Sequence, residues 1–283
     1  MEFTVSKAEL VRELNLSQGV VEKKSTIPIL ANVLLEAAGD QVTMTATDLE
    51  LGIRCSFQAG VRKEGAGTLP ARRLLDYVRL LPDADVNVKF LENQWASLVC
   101  GRSRTRMAGM SRESYPELPA MPPPLAVIPA KDFAALIGRT IFAISTEESR
   151  FSLNGGLLVL KETGSVMVST DGHRLAYVEM LHEQGPSYTP YRALIPRKAM
   201  AEIYKLAQES PAETTITFAG DENHLFFRVG ERLLISRKLT GNFPDFERVL
   251  PKEHLTHVVL KRDEVRASIE RVYVERPVAE LFI

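Results

Sequence analysis

The hydrophobic and polar positions of residues 1–110 follow a helical period and a strand period in turn. Leu10, Leu14 and Val21 recur at helical spacing within 6–21, and Ser6 stands at the N-cap position. The stretches FTV, ILANVLLEAA, QVTMTATD and GIRCSFQA predict strands, with a Gly-Asp turn at 39–40. LPARRLLDYVRLL predicts a second helix with a proline at its first turn, and DVNVKFLE, WASLVCG and RTRMAGM predict further strands. The pattern therefore indicates a helix followed by several strands, formed twice.

An internal repeat organises the chain. LANVLLEAAGDQVTMTATDLE (30–50) aligns without gaps on LNGGLLVLKETGSVMVSTDGH (153–173), at a constant offset of 123 residues. LPARRLLDYVRLL (69–81) matches IPRKAMAEIYKLA (195–207) at an offset of 126, and YPELP (115–119) resembles FPDFERVLP (243–251) at an offset of 128. Similarity that keeps its order over this length indicates a tandem duplication of a unit of roughly 125 residues. The opening pattern returns once more in VVLKRDEV (258–265).

The repeat also predicts the fold class and the domain boundaries. Helices and antiparallel strands in each unit favour an α+β fold of tandem domains, each with two helices packed on sheets. The proline-containing stretches MPPP (121–124) and VLPKEH (249–254) are natural joints between units. We expect a first domain at 1–122, a second at 123–250, and a linker with the incomplete start of a third at 251–283.

Basic residues recur on the predicted helices although the net charge of the chain is only −1. Arg72 and Arg79 are seven residues apart and so share a helix face, and Lys198 and Lys205 repeat that spacing in the second unit. A charged helix face is most often a solvated face, but its recurrence in both units favours a functional role. Basic faces without interleaved aromatic residues suit contact with a phosphate backbone, which carries no base-specific readout.

The stretch STDGHRLAY (169–177) places an acid, a histidine and an arginine close together. One hypothesis is a hydrolase that uses Asp171 and His173, but Ser169 lies on a plain strand and not on the sharp turn of an activated nucleophile. The first unit has the same Thr-Asp pair at 47–48 and then diverges. Asp171 is therefore expected to bond local backbone, and Gly172 to Leu175 mark what the second unit adds.

The remaining candidates are weaker. GRSRTR (101–106) is a basic cluster on a strand, which favours solvation or a subunit contact over nucleic-acid readout. Cys55 and Cys100 are isolated, with no metal-ligand spacing, and neither a signal peptide nor an apolar spanning segment is evident. We therefore expect reduced thiols, no metal or other cofactor, no membrane contact and a cytoplasmic location.

Several stretches together resemble a known family. TIPILANVLL, TATDLELGI, LPARRLLD, GRSRTRM, SLNGGLL, STDGHRLA, IPRKAM and GNFPDFERVLP occur in the order found in bacterial sliding clamps, the beta subunits of DNA polymerase III. The resemblance covers residues 1 to about 271 and is most specific in TDGHRLA and FPDFERVLP. It implies tandem DNA-clamp domains with basic helices lining a hole, and a non-catalytic processivity factor that encircles duplex DNA.

The resemblance also implies two sets of binding residues. In sliding clamps the motif at 170–175 walls a pocket for short hydrophobic peptides of the replicative polymerase alpha-type subunit, the clamp loader and repair polymerases. The matching pocket residues are Leu153, Thr170, Gly172, His173, Arg174 and Leu175, with Pro244, Arg248 and Val249 from the following joint. For DNA the resemblance implies Lys24, Arg72, Arg73, Phe151, Arg197 and Lys198, to which the helix spacing adds Arg79 and Lys205.

The resemblance stops within the third unit. After Val272 the chain reads YVERPVAELFI to Ile283, whereas sliding clamps continue through a full third domain. That domain supplies the rest of the peptide pocket and closes a head-to-tail homodimeric ring, so both are expected only if it is complete. The alternative hypothesis is a peptide-binding module that forms no ring and acts as a decoy.

Overall fold

The computed structural model describes residues 1–21, 26–147, 149–181, 190–251, 253 and 256–275. The chain forms two compact units, Met1–Phe243 and Pro244–Ile283. Within the described ranges, no helix is long and apolar enough to cross a membrane.

The first repeat consists of two successive sets of elements, each with one strand, one helix and a run of strands. The first set comprises β1 (Glu2–Ser6), α1 (Lys7–Ser17), β2 (Asn32–Ala38), β3 (Gln41–Thr47), β4 (Leu51–Gln58) and β5 (Gly60–Lys63). The second set comprises β6 (Gly65–Pro70), α2 (Ala71–Arg79), β7 (Asp85–Phe90), β8 (Trp95–Cys100) and β9 (Ser103–Ala108).

The second repeat follows the same plan. Its first set comprises β10 (Ala126–Pro129), α3 (Ala130–Gly138), β11 (Gly155–Lys161), β12 (Gly164–Thr170) and β13 (Leu175–Leu181). Its second set comprises β14 (Tyr191–Pro196), α4 (Arg197–Gln208), β15 (Thr215–Gly220), β16 (His224–Val229) and β17 (Arg232–Arg237). The second compact unit contributes α5 (Arg262–Glu275).

The strands within the described ranges form three sheets, in which every strand pair is antiparallel. Their orders are β5-β1-β7-β8-β9, then β10-β15-β16-β17-β4-β3-β2-β6, and β13-β12-β11-β14. The strand that precedes each helix pairs with the sheet of the other set: β1 lies beside β7, and β6 lies beside β2. Pairing of β4 with β17 joins the two repeats through one continuous sheet.

The local predictions hold at several points and fail at two. The Ser6 hydroxyl accepts a hydrogen bond from the Glu9 amide at 3.2 Å, so the predicted N-cap of α1 is confirmed. The strand predicted from Ile29 begins instead at Asn32, because Pro28–Ala31 forms a short 3-10 helix. Strands β5 and β6 were not predicted, since the glycine-rich, charged stretch 60–67 lacks apolar alternation.

The paired helices bury one face and expose the other. In α2, Leu74, Leu75 and Val78 are buried and the arginines are exposed, which follows from the 3.6-residue period. The matching buried residues of α4 are Ala199, Met200 and Ile203, so the helices correspond at an offset of 125. The predicted offset of 126 holds at the start of both helices, which begin directly after Pro70 and Pro196, whereas the buried positions within the helices match best at 125. By burial, Arg72 and Arg73 correspond to Arg197 and Lys198, and Tyr204 occupies the place of Arg79.

The predicted domain boundaries at 122/123 and 250/251 stay predictions. The contact pattern does not separate the first two repeats, because β4 and β17 hold them in one sheet.

Candidate functional site

A tight turn closes the β12–β13 hairpin at Asp171–Arg174. The Asp171 Oδ1 atom accepts hydrogen bonds from the amides of His173 and Arg174, each at 3.0 Å. The Thr170 hydroxyl accepts from the Gly172 amide at 3.1 Å and donates to the Arg174 carbonyl at 2.7 Å. Thr170 and Asp171 therefore satisfy the polar backbone groups of the turn.

The corresponding turn of the first repeat has the same bonds. Asp48 Oδ1 accepts from the amides of Glu50 and Leu51 at 2.9 and 2.6 Å. The Thr47 hydroxyl accepts from the Leu49 amide at 3.0 Å and donates to the Leu51 carbonyl at 2.9 Å. The prediction that Asp171 bonds local backbone is thus confirmed, and the Thr-Asp pair belongs to the shared framework of the repeat.

Arg174 is held in place at the surface of this turn. Its Nε atom donates to Asp171 Oδ2 at 2.9 Å, and a terminal nitrogen donates to the Phe142 carbonyl at 2.9 Å. The guanidinium carbon lies 5.7 Å from the centre of the Phe142 ring, within cation–π range. The Arg174 side chain is nevertheless 58% exposed, so a fixed cation remains accessible to a partner.

Arg150 connects the turn to the segment that carries Leu153. An Arg150 guanidinium nitrogen donates to the Asp171 carbonyl at 3.0 Å, and its Nε lies 2.9 Å from Glu147 Oε2. The Arg150 carbonyl accepts from the Leu153 amide at 2.8 Å. Arg150 thus joins the segment that carries Leu153 to the hairpin that carries the other predicted residues of this region: Thr170, Gly172, His173, Arg174 and Leu175.

Sequence reasoning missed Phe142 and Arg150. The Phe142 carbonyl accepts a hydrogen bond from Arg174, 32 residues further along the chain, and the Arg150 guanidinium donates one to the carbonyl of Asp171, 21 residues further along. No periodicity or motif in the sequence links Phe142 or Arg150 to the turn. Phe142 and Phe151 are 56% and 69% exposed, which leaves apolar surface for a ligand in this region of the chain.

The contacts of Asp171 do not suit hydrolysis. Burial would raise the pKa of Asp171, but the two turn amides and the Arg174 guanidinium outweigh it and lower that pKa. The carboxylate is thus ionised and bound to Arg174 and to backbone. Ser169 is fully buried on β12, and its hydroxyl has no hydrogen-bond partner among the residues that the structure describes. Among the described residues, no group of three His, Cys, Asp or Glu side chains could hold a metal ion.

The other three predicted pocket residues belong to the second compact unit. Val249 is 66% exposed, and Arg248 Nε lies 2.8 Å from Asp245 Oδ2. Pro244 opens the unit, two residues before the short 3-10 helix Phe246–Arg248.

The predicted DNA residues divide into two groups by their contacts. Arg72, Arg73 and Arg197 are exposed, and their side chains make no hydrogen bond or ion pair with any other described residue. Lys198, Lys205 and Arg79 are engaged: they bond Asp48, Glu202 and Asn15 respectively. Lys24 lies outside the described residues.

Charged pairs also tie the two repeats together. Arg232 on β17 donates to both oxygens of Glu13 on α1, at 2.7 and 3.3 Å, and Glu13 is only 2% exposed. Burial would raise the pKa of Glu13, but the bonds from Arg232 and Arg12 lower it overall. The Lys198 ammonium, which donates to Asp48, also lies 3.2 Å from the Val20 carbonyl.

Comparison with known families decides the relationship. The model of the DNA polymerase III beta subunit N-terminal domain matches residues 1–119, and the model of its central domain matches residues 127–245. The chain belongs to the DNA polymerase III beta-subunit family. A beta sliding clamp of Chlamydia muridarum is 33% identical over 273 residues, which cover 96% of this chain and 74% of the relative.

Solved structures of clamps have the same fold. The DNA polymerase III subunit beta of Pseudomonas aeruginosa superimposes with a TM-score of 0.90 at 32% identity, over 97% of this chain and 74% of that one. A second P. aeruginosa clamp structure, bound to griselimycin, has the same TM-score, identity and coverage. The predicted α+β fold of tandem DNA-clamp domains is thereby confirmed. The chain has the function of its family, that of a sliding clamp and non-catalytic processivity factor, so the hydrolase hypothesis is wrong.

Proposed function

We propose that this sliding clamp docks partner peptides at the β12–β13 turn and contacts duplex DNA through its exposed helix arginines. The observation that carries the peptide site is the accessible Arg174 guanidinium, fixed by Asp171 and Phe142. A cation held before binding loses little freedom when a ligand arrives, which favours affinity.

The chemistry of the turn fits an extended hydrophobic peptide. The half-buried Leu175 and the exposed ring of Phe142 offer apolar contacts, while Arg174 and the turn backbone offer polar groups that orient a main chain. Leu153 is buried and is proposed as a pocket residue on the family resemblance alone. The partners proposed for this site are the replicative polymerase alpha-type subunit, the clamp loader and repair polymerases. Pro244, Arg248 and Val249 are proposed as partner-binding residues on the family resemblance alone.

The DNA contacts proposed here are electrostatic and without sequence preference. Arg72, Arg73 and Arg197 have guanidinium groups available for phosphates, and the exposed Phe151 is proposed as a further DNA contact. Lys24 is proposed on the family resemblance alone. Arg79, Lys198 and Lys205 are proposed as secondary contacts, because each must share its charge with a protein partner.

The assembly proposed for a chain with a completed third domain is a head-to-tail homodimer that encircles DNA. A cytoplasmic location is proposed from the two cysteines, which are unpaired and buried.

Peptide binding is tested by fluorescence anisotropy with a labelled peptide from the tail of a replicative polymerase. Arg174→Ala is expected to weaken binding at least tenfold. Arg192→Ala is the matched control, because Arg192 is an exposed arginine on β14, at the opposite edge of the same sheet. Equal affinities of the parent chain and the Arg174→Ala chain would refute the proposed site.

A further inference from the structure

We infer that a cavity in the first repeat binds a small molecule through a carboxylate group, which Arg54 and Thr45 hold. The cavity has a volume of about 580 Å³ and is lined by β2, β3 and β4 on one side and by residues 112–118 on the other. A volume of this size suits a small-molecule ligand. The inference is independent of the proposed peptide and DNA contacts, because none of the residues proposed for them lines this cavity.

Strand pairing places the two binding groups side by side. Thr45 on β3 is the cross-strand partner of Arg54 on β4 and of Leu34 on β2. Directly opposite residues of an antiparallel pair have their side chains on one face, with Cβ atoms about 5 Å apart. All three residues line the cavity, so one ligand group can reach both the hydroxyl and the guanidinium.

The Thr45 hydroxyl lacks a protein partner. Thr45 is 3% exposed, and its hydroxyl makes no hydrogen bond with any residue that the structure describes. The Thr45 carbonyl, in contrast, accepts a hydrogen bond from the Tyr115 hydroxyl at 3.0 Å. A buried hydroxyl without a partner is unfavourable, and a ligand oxygen in the cavity would accept its hydrogen bond.

Arg54 supplies a positive charge that no described residue neutralises. Its side chain is partly buried and makes no hydrogen bond or ion pair within the described part of the chain. Arg112, on the other side of the cavity, lies 3.6 Å from Glu36 and is thereby paired. A carboxylate can accept two parallel hydrogen bonds from a guanidinium and has further lone pairs for a hydroxyl. One carboxylate therefore satisfies Arg54 and Thr45 together.

Two anchors hold residues 112–118 over the sheet. The Tyr115 hydroxyl also lies 3.3 Å from the Asn32 carbonyl, so it connects to both β2 and β3. Leu118 packs against the cluster that contains Leu233 and Ile235 on β17. Because these contacts form without a ligand, the cavity is preformed, which reduces the entropy cost of binding.

The acidic side chains of the covering segment restrict the ligand further. Glu113 and Glu117 line the cavity and make no ion pair with other described residues. They would repel a ligand with several negative charges and would attract an ammonium group beside the carboxylate. Leu34, Pro116 and Leu118 offer apolar contacts to the remainder of the ligand. The ligand class is therefore a monocarboxylate, either a simple acid or an amino acid.

The experiment is a ligand-observed NMR titration of the 283-residue chain with three probes of similar shape. L-leucine carries a carboxylate and an ammonium group, 4-methylpentanoate carries only the carboxylate, and L-leucinamide carries only the ammonium group. Both carboxylates are expected to bind, and L-leucinamide is expected to bind at least tenfold more weakly than L-leucine. Tighter binding of L-leucine would identify amino acids as the class, and tighter binding of 4-methylpentanoate would identify simple acids.

Variants assign the binding to this cavity. Arg54→Gln is expected to weaken the tighter-binding carboxylate at least tenfold, and Thr45→Val, which keeps the shape but removes the hydroxyl, at least threefold. Arg228→Gln is the matched control, because Arg228 pairs with Leu233, as Arg54 does, and so lies on the same face without lining the cavity. It is expected to keep the affinity of the parent chain.

Thermal unfolding without ligand separates binding from folding. Thr45→Val is expected to unfold at or above the temperature of the parent, because it removes a buried hydroxyl that has no partner among the described residues. The inference is overturned if neither carboxylate binds, if L-leucinamide binds as tightly as L-leucine, or if Arg54→Gln or Thr45→Val keeps the parent affinity. Each of these results leaves the proposed peptide and DNA contacts standing.

Discussion

The Lys198 ammonium on α4 donates to the Asp48 carboxylate in the β3–β4 turn, so a residue of the second repeat bonds the framework aspartate of the first. The same Asp48 accepts two amides of its own turn. Lys198 therefore has a structural partner that Arg72 lacks.

This difference predicts unequal effects on DNA binding. Arg72→Glu is expected to lower the slope of log affinity against log salt by about 1 or more, because one phosphate contact contributes about 0.9. Lys198→Gln is expected to change the slope less and to lower the unfolding temperature more, since it breaks the bond to Asp48. Salt titrations and thermal unfolding of both variants check this. Equal slopes for the parent and Arg72→Glu chains would contradict the DNA assignment of Arg72.

The buried pair of Glu13 and Arg232 predicts a strong coupling in stability. Glu13→Leu alone leaves Arg232 without its carboxylate and is expected to cost about 3 kcal/mol of unfolding free energy. The double variant Glu13→Leu with Arg232→Ser removes both buried charges and is expected to recover part of that loss. Urea unfolding in a double-mutant cycle measures the coupling. Additive losses would show that the pair does not act as a unit.

The lowered pKa of Glu13 predicts acid sensitivity. The folded pKa of Glu13 is lowered from its ordinary value, so the unfolded state binds more protons than the folded state as the pH falls. The contribution of Glu13 to stability is fully present above its unfolded pKa, and it is lost as the pH falls through its folded pKa. Glu13→Gln is expected to flatten the loss of stability below about pH 4.3, measured by urea unfolding at several pH values. An unchanged pH profile would assign the acid sensitivity to other carboxylates.

A side chain at Gly172 is expected to disturb the proposed peptide site locally. Its φ is +92°, and a Cβ there would lie 2.9 Å from an Arg150 guanidinium nitrogen. Gly172→Ala is expected to cost about 1 kcal/mol and to displace Arg150 from the Asp171 carbonyl. Gly39→Ala is the control, because Gly39 also has positive φ, +59°, but has open space around it. Both are expected to lose similar stability, and only Gly172→Ala to weaken peptide binding in the anisotropy assay.

The sequence predicted what local patterns and the repeat encode. The framework role of Asp171 followed from comparing 169–177 with 46–54, because equivalent turns require equivalent bonds. The contacts of Phe142 and Arg150 could not be predicted, since they depend on how distant segments meet. The same holds for the bond of Lys198 to Asp48, because the sequence indicated Lys198 only as a DNA contact and the bond depends on the pairing of β4 with β17.

The exchange of β1 and β6 between the two sheets of the first repeat has a consequence for folding. The strand before each helix pairs with the other set, β1 with β7 and β6 with β2, so neither half of the repeat forms a complete sheet by itself. Pairing β1 with β7 also closes a loop of about eighty residues. The entropy cost of this closure comes before the stabilising contacts between the two strands form, which slows folding. A proteolytic fragment that ends between β5 and β6 is therefore expected to remain unfolded, and the two halves to regain structure only when they are mixed.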